Sequence, residues 1–577
     1  MEFPVRQIPF SYCGSWFGFS PVVAAHTYAD DIHLVSHQGG MHPVLRLVPQ
    51  AGGTRADTAI TAAPARLTWS GPAGRIELAY ESADTVRLRG EGLGIRIVAA
   101  QPALTPFSGP YFLQDPVDGS YLFTVYETGR RYRVTVLSGS PAVSGAQRLG
   151  TAERGIALAG VWEVAIEEYA SARPPYRAAL SLDQIAAAAA AEFGRYVAAV
   201  APWRSVDTPA AELAAYVLWS ATVRPAGFVS RPAVLMSKHW MDKVWSWDHC
   251  FNALALAGGL PELAWDQFRL PFEHQDPTGA LPDSITHSEV LYNFVKPPIH
   301  GWTLRQLRQA LPARDRGELL EVYRRLESWT GFWLTARRVP GHALAHYQHG
   351  NDSGWDNATT FDPGPVVESA DLAAFLVLQL RELAELAGEL GLVEAARSWN
   401  QAADRMRTAL LELWTGQQFA ARAAGTRQAG QQSWTSASLL DLMPIVLGEE
   451  LPDPVRAALV RRIRSHLTTY GLATELPTSP HYEPDGYWRG PIWAPATVLI
   501  EDGLRRAGSG ELADEISSRF RALCERSGFA ENFDALTGAG QRDRAYTWTA
   551  SAYLTLAAAA EHRRSRGDPA DETVARS

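Results

Sequence analysis

The chain has 577 residues, 46% apolar and 20% charged, enough for more than one packed core in an ordinary globular protein. A net charge of -9, a pI near 6.0 and no basic stripe exclude a nucleic-acid footprint. No run of about 18 apolar residues is present, and MEFPVRQIPFSYCGSWFGFS lacks a basic region ahead of an apolar core. Neither a membrane span nor a signal peptide is therefore expected. Cys13, Cys250 and Cys524 lie far apart with no metal-ligand spacing, which reads as reduced thiols in a cytoplasmic protein with no metal and no cofactor.

Residues 1–172 read as β. Short segments such as 43-PVLRLVP-49, 66-RLTWS-70, 75-RIELAY-80, 85-TVRLRG-90 and 94-GIRIVA-99 alternate apolar and polar residues between Gly, Pro, Asp and Ser clusters. Residues 120–129 and 130–139 read as a hairpin, and 156–169 completes the set. Many short strands at close spacing predict an antiparallel β-sandwich. The Pro-rich stretch 170–179 opens a linker (173–207) that contains an Ala-rich helix at 182–200. From 208 to 565 apolar residues recur at three- and four-residue spacing. Helices are predicted over 209–223, 317–338, 368–390, 393–414, 453–467, 510–528 and 547–564, with shorter ones near 248–275, 302–311, 437–446 and 493–507. Residues 566–577 read as a disordered tail.

Two compositional biases bear on function. The chain holds 50 Arg but only three Lys, and Lys238, Lys243 and Lys296 all fall in one stretch. A Lys kept against such a bias can be one needed for its compact ammonium. Of 19 Trp only Trp16, Trp69 and Trp162 precede residue 200. Six of the rest, Trp240, Trp245, Trp247, Trp355, Trp488 and Trp493, fall in long irregular segments at 238–249, 346–366 and 476–493, and two further such segments span 271–301 and 529–547. Connections of that length in a compact domain are usually functional, and five of them in one helical domain are expected to converge at one end.

Within these segments no phosphate loop, zinc motif or serine elbow occurs. Carboxylates among aromatics remain. Asp356 follows Trp355 in SGWDN, Glu531 lies between Phe529 and Phe533, and Asp248 stands in 245-WSWDHCFN-252 at a helix start. Taken singly, Asp248 reads as a helix cap and the other two as carboxylates that order a turn. Partial desolvation of an acid beside Trp would raise its pKa and suit it to general acid catalysis. Arg489, between Trp488 and Trp493, is a fixed cation able to pair with a carboxylate or orient a hydroxyl.

The set WSWDHCFNALAL, KPPIHGW, DSGWDN, YWRGPIW and ENFDALTG followed by YTWTASAYL, in that order over roughly 205–565, resembles the inverting α-glycosidases of glycoside hydrolase family 63 and the mannosylglycerate-hydrolase-like members of that clan. Trehalases of family 37 are more distant. The resemblance implies an (α/α)6 barrel, with Asp356 as general acid and Glu531 as general base. It implies a sugar pocket lined by Trp245, Trp247, Asp248, Lys296, His300, Trp302, Trp355, Tyr487, Trp488, Arg489, Gly490 and Trp493. His300 and Asp352 stand where relatives often carry Gln and Glu, and both positions bear on substrate contacts.

Inversion requires an acid on one side of the scissile bond and a base holding water on the other. It therefore predicts a proton kept on Asp356 near neutrality and an ionised Glu531. The leading expectation is an exo-acting α-glucosidase on a small oligosaccharide or glucoside, with no nucleic-acid or membrane partner. Trehalase- or mannosylglycerate-hydrolase-like activity stays open. So does a sugar isomerase or epimerase built on histidines among His239, His249, His287, His300, His346 and His349, and a non-catalytic sugar binder.

Overall fold

A computed structural model describes residues 1–101, 108–147, 153–425 and 432–566. The chain divides into two compact units. One comprises Met1–Pro202, Ala215–Lys243 and Thr286–Glu289; the other comprises Trp203–Ala214, Val244–Ile285 and Val290 onward.

The first unit holds two eight-stranded antiparallel sheets. One runs Phe10–Ser11, Phe17–Ala24, Thr27–Ser36, His42–Ala51, Gly94–Ala99, Gly155–Leu158, Ala142–Ser144, with Thr54–Arg55 pairing to His42–Ala51. The other runs Pro110–Gln114, Tyr121–Val125, Arg130–Ser138, Val161–Tyr169, Thr85–Glu91, Gly74–Ser82, Arg66–Gly71, Ala59–Ala63. The strands before residue 43 escape the alternation test because Phe17–Val22 are buried at every position, and a strand covered on both faces loses its period of two. The unit also extends past the sequence boundary at 172. Helix α1 (Leu182–Val200) starts at a capping box in which the Ser181 hydroxyl accepts from Gln184 N–H and the Gln184 side chain accepts from Ser181 N–H. Its Leu182, Ile185 and Ala186 pack on Ala79 of strand Gly74–Ser82, so the helix belongs with the sheets.

Helix α2 (Ala211–Ala221) ends where Thr222–Val223 pairs with Ala233–Val234. The second unit then contains α3 (Asp248–Leu256), α4 (Pro261–Glu273), α5 (His300–Ala310), α6 (Arg316–Thr335), α7 (Ala370–Glu389), α8 (Val393–Leu411), α9 (Asp453–His466), α10 (Ala494–Arg506), α11 (Gly510–Ser527) and α12 (Thr547–Ser565). The stretch predicted helical at 437–446 is a run of 3-10 turns, Leu439–Glu450, that contains Pro444; proline cannot donate the i→i−4 bond. Contacts close a ring: α3 to α5, α5 to α7, α7 to the Leu439–Glu450 run, that run to α10, α10 to α12, and α12 back to α3. The outer helices pair with ring members, α4 with α3, α8 with α7, α9 with the 3-10 run and α11 with α10. Burial separates the layers. Ring helices such as α7 and α10 are buried on nearly every face, whereas α8 buries only Ala403, Met406, Ala409 and Leu410. A helix apolar all round belongs in a core and an amphipathic one at its surface. No helix among the described residues is long and apolar enough to cross a membrane. The expected tail lies outside the described residues except Arg566, which caps α12.

Candidate active site

The irregular segment at 350–364 is held from several sides. A 3-10 turn (Gly350–Ser353) ends at Gly354 in left-handed backbone, φ 74°. The Trp247 ring lies where a Gly354 Cβ would stand, so only glycine fits. The Asp352 carboxylate accepts from Val295 N–H at 3.1 Å, Gln348 N–H at 2.8 Å and Arg337 at 2.6 Å. That fully used carboxylate explains the residue as a loop anchor, and the expectation that position 352 bears on substrate contacts is corrected accordingly. Further along, Thr359 donates to Glu475 at 2.8 Å and Thr360 to Asp441 at 2.9 Å.

Asn357, next to Asp356, ties this segment to the one at 476–493. Its Nδ2 donates to Gly486 O at 3.0 Å and its Oδ1 accepts from Trp488 N–H at 3.0 Å. Arg489 donates from Nε to Asn357 O at 2.8 Å and pairs with Asp362. The sequence reading of Arg489 as a cation that meets a carboxylate thus holds, with a loop carboxylate as its partner. Gly490, bonded through N–H to Thr474 at 3.1 Å, lies against the Glu483 carbonyl with no room for a Cβ. A third segment presents Glu531, whose N–H donates to Asp543 O at 2.7 Å. It is joined to the second where Ile492 and Phe533 exchange backbone bonds of 2.7 and 3.1 Å.

Around these loops the aromatic side chains form a continuous wall. Trp355 meets Trp488 at 4.6 Å, and Trp488 stacks on Trp493 at 4.1 Å and 5°. Trp493 meets Trp548 edge-on at 5.5 Å, and Trp548 meets Trp247 at 5.6 Å. Tyr487 stands edge-on to Trp493 at 4.9 Å, and Tyr546 lies 5.4 Å from Trp548. Trp245, half-buried, sits in the short strand Val244–Trp245 that pairs with Ser284–Ile285.

Electrostatics link the carboxyls. Asp248 is the first residue of α3, one position inside the N-cap, which is Trp247, so it is not itself the cap. Its carboxyl is buried, with Oδ2 lacking a hydrogen-bond partner among the described residues. Burial pushes its pKa well up, against the pull of Lys296. Lys296 lies 3.2 Å from Asp283, donates to Asn351 O at 3.0 Å and acts on both Asp248 and Asp356. Asp356 is half-buried; desolvation raises its pKa to about 6, with Lys296 pulling it back. Glu531 is buried, and desolvation together with Asp543 raises it to about 8 while Arg542 and the Tyr487 hydroxyl oppose the rise. The order is the reverse of the sequence expectation. The deeper carboxyl, which has no lysine beside it, is the one that holds its proton harder.

Two further predicted positions lie on α5. His300 is fully buried among Phe268, Phe272 and Trp329, with Nε2 at 3.1 Å from Ser246 O, and burial lowers its pKa to about 4. Trp302 donates to Asp502 at 2.8 Å. Each thus has a protein partner, and His300 Nδ1 is buried without one among the described residues. Sequence reasoning passed over Tyr546, Trp548, Asn532, Asp283 and Arg542. YTW, part of the last motif, was the available signal for the first two; Asp283 and Arg542 carry none of the Trp-rich context that marks the others.

Residues 241–549 match the sequence model of the mannosylglycerate hydrolase MGH1-like glycoside hydrolase domain. The chain is 25% identical over 424 residues to mannosylglycerate hydrolase of Rubrobacter radiotolerans, covering 57% of this chain and 93% of that protein. It is 26% identical over 398 residues to the enzyme of the same name from Thermus thermophilus, covering 54% and 93%. The solved structure of the Thermus thermophilus family 63 mannosylglycerate hydrolase in complex with glucose aligns at TM-score 0.52 and 22% identity, over 60% of this chain and 98% of that one. A bacterial glucoamylase complexed with acarbose aligns at TM-score 0.62 and 11% identity, over 97% of this chain and 96% of its own, a likeness of fold alone. With more than half of its length matched by the family model, the chain belongs to the mannosylglycerate hydrolase MGH1-like, family-63-like glycoside hydrolases.

Proposed function

We propose that this glycoside hydrolase is an exo-acting, inverting α-glycosidase of small α-linked sugars, with Asp356 as general acid and Glu531 as general base. The closed ring of helices is read as an (α/α)6 barrel and the paired sheets as a β-sandwich. The observation that carries the proposal is the pair of desolvated carboxyls presented by two separate loops about Tyr487, which feels Glu531, Asp356 and Asp248 together. Half-buried Asp356 suits the acid, because the leaving group departs toward solvent. Buried Glu531 suits the base, which needs room for one water. The proton of Asp356 passes to the glycosidic oxygen as the C–O bond breaks. Glu531 takes a proton from water as its oxygen bonds to the anomeric carbon on the opposite face, giving a β-hemiacetal and an alcohol.

Unpartnered polar atoms among the motif residues support a polyhydroxylated ligand. Ser246 Oγ, Asp248 Oδ2, Asn532 Nδ2 and Trp548 Nε1 are buried without partners among the described residues. Each such group costs about 1–3 kcal/mol until it is hydrogen-bonded, and sugar hydroxyls are suitable partners. The Trp wall suits the apolar face of a sugar ring.

Protonation follows from the two carboxyls. The working form carries its proton on Asp356 and none on Glu531. With the groups near 6 and 8 it is about a hundredth of the singly protonated enzyme. The rate is then bell-shaped between about pH 6 and 8, limbs that belong to the pair.

The four curated relatives are named for mannosylglycerate hydrolysis, so mannosylglycerate is the first substrate to offer, and α-glucosides are the next. Proton NMR during the first minutes of reaction tests the proposal. Release of a β-anomer is the expected result. Release of an α-anomer means retention and overturns the assignment, as does failure to hydrolyse any α-mannoside or α-glucoside.

A further inference from the structure

Both chain neighbours of Asp356 are held by one residue of the facing loop, Trp488. On one side the Trp355 ring meets the Trp488 ring at 4.6 Å and 32°. On the other, Asn357 Oδ1 accepts from Trp488 N–H and Asn357 Nδ2 donates to Gly486 O, each at 3.0 Å. A carboxamide carries a donor and an acceptor side by side, so it can pair with a backbone as another backbone would; a carboxylate lacks the donor. Arg489 adds a third bond, from Nε to Asn357 O at 2.8 Å, and pairs with Asp362. Between the two groups that Asn357 grips lies Tyr487, one of three described residues other than glycine in left-handed backbone, at φ 63°. A side chain makes that conformation unfavourable, and it persists where surrounding contacts over-determine it. Here those contacts are the Asn357 amide, which binds on each side of Tyr487, and Trp493 Nε1, which donates to Tyr487 O at 2.8 Å. Asn357 itself is exposed, so it fills no core. Its two polar atoms are nevertheless engaged by backbone groups 129 and 131 residues away.

We propose that Asn357 is a positioning residue for the acid: its amide fastens the backbone at Asp356 to Gly486 and Trp488, and so holds the carboxyl where proton transfer to the glycosidic oxygen requires it. The inference rests on the reading of Asp356 as general acid. With the backbone fixed on both sides, the carboxyl keeps only its own side-chain torsions. Misplacing a reacting group by about 1 Å can cost about a hundredfold in rate, and a general acid contributes about 100- to 10,000-fold in all. Loss of the grip therefore costs less than loss of the acid, and it is felt only where the acid is needed.

The test compares two leaving groups on the full chain. Alkyl α-mannosides and α-glucosides need a proton from the acid, whereas α-mannosyl and α-glucosyl fluoride do not. In Asn357→Ala, kcat on the alkyl glycosides falls by about 30-fold. On the fluorides it falls by less than about threefold, and KM stays within about threefold for both. In the Asp356→Asn background the same change lowers kcat on the alkyl glycosides by less than about threefold more, since Asn357 acts through the carboxyl. Equal losses on the two substrates, an unaltered kcat on both, or fully multiplicative losses in the double variant overturn the proposal, because a residue that only braces the loop behaves in one of those ways. Asp356→Asn alone separates the two levels. If it discriminates between the leaving groups and Asn357→Ala does not, only the positioning role falls. If it does not discriminate, the reading of Asp356 as the acid falls as well.

Discussion

Lys238 in the first unit and Lys296 in the second are both buried, and they are kept in opposite company. The Lys238 ammonium donates to Ser11 Oγ at 3.0 Å and Ser15 O at 2.7 Å, neutral acceptors both, and burial lowers its pKa to about 7. Lys296 lies against Asp283 and within reach of Asp248 and Asp356. Desolvation penalises any charge. With no carboxylate in hydrogen-bond reach the Lys238 ammonium holds its proton less tightly, whereas Lys296 has the Asp283 carboxylate as its partner. The first case also gives a reason for lysine in an arginine-rich chain: a guanidinium cannot lose its proton, so an Arg at 238 would remain a buried cation.

Of the two proposed catalytic carboxyls, Asp356 is lowered chiefly by Lys296 and Glu531 by Arg542. Replacing the acid tests that difference most severely. Asp356→Asn is expected to lower kcat on glycosides with poor leaving groups by about 1,000-fold, yet to leave hydrolysis of glycosyl fluorides within about tenfold of wild type. Equal losses on both substrates would remove Asp356 from the acid role.

Lys296→Met leaves Asp283 buried and unpaired. It should cost about 3–5 kcal/mol in urea unfolding, most of which returns in the double variant with Asp283→Asn. The same change withdraws the cation that holds Asp356 down, so the acidic limb of kcat/KM moves up from about pH 6. An unmoved limb would mean that the lysine serves the loop and not the carboxyl.

The smallest effect belongs to Lys238→Met, with kcat unchanged within about twofold. Its folded pKa lies below the ordinary 10.5, so between about pH 7 and 10 the unfolded chain binds a proton that the folded chain has released. Wild-type stability should therefore climb over that window relative to the variant and run parallel below it. Melting curves taken from pH 6 to 10 decide the point, and parallel curves throughout would show that the ammonium stays charged.

Much of the second unit was legible in advance because its outer helices carry their period openly: α8 and α11 show one apolar face each. The ring helix α7 was also found, by length and by helix-favouring residues, even though its burial leaves little periodicity. The early strands were read as β without individual limits, and the place of α1 was not seen, since burial on both faces erases alternation and a helix does not announce which surface it will cover. At the site, Trp355, Asp356 and Trp488 stood out as aromatics and acids in Gly-rich loops. Asp283 and Arg542 did not, because their importance lies in what they face.

The sequence by itself therefore determined where the irregular loops lie, which carboxyls they carry and that tryptophans accompany them, since composition and spacing are local properties. Only the tertiary structure decided that Asp352 is consumed as a loop anchor, that His300 is sealed among aromatic rings, that Tyr487 takes a left-handed backbone, and that Glu531 holds its proton harder than Asp356. Proton affinity and strain are set by burial and by neighbours far away in the chain, and no window of sequence contains them.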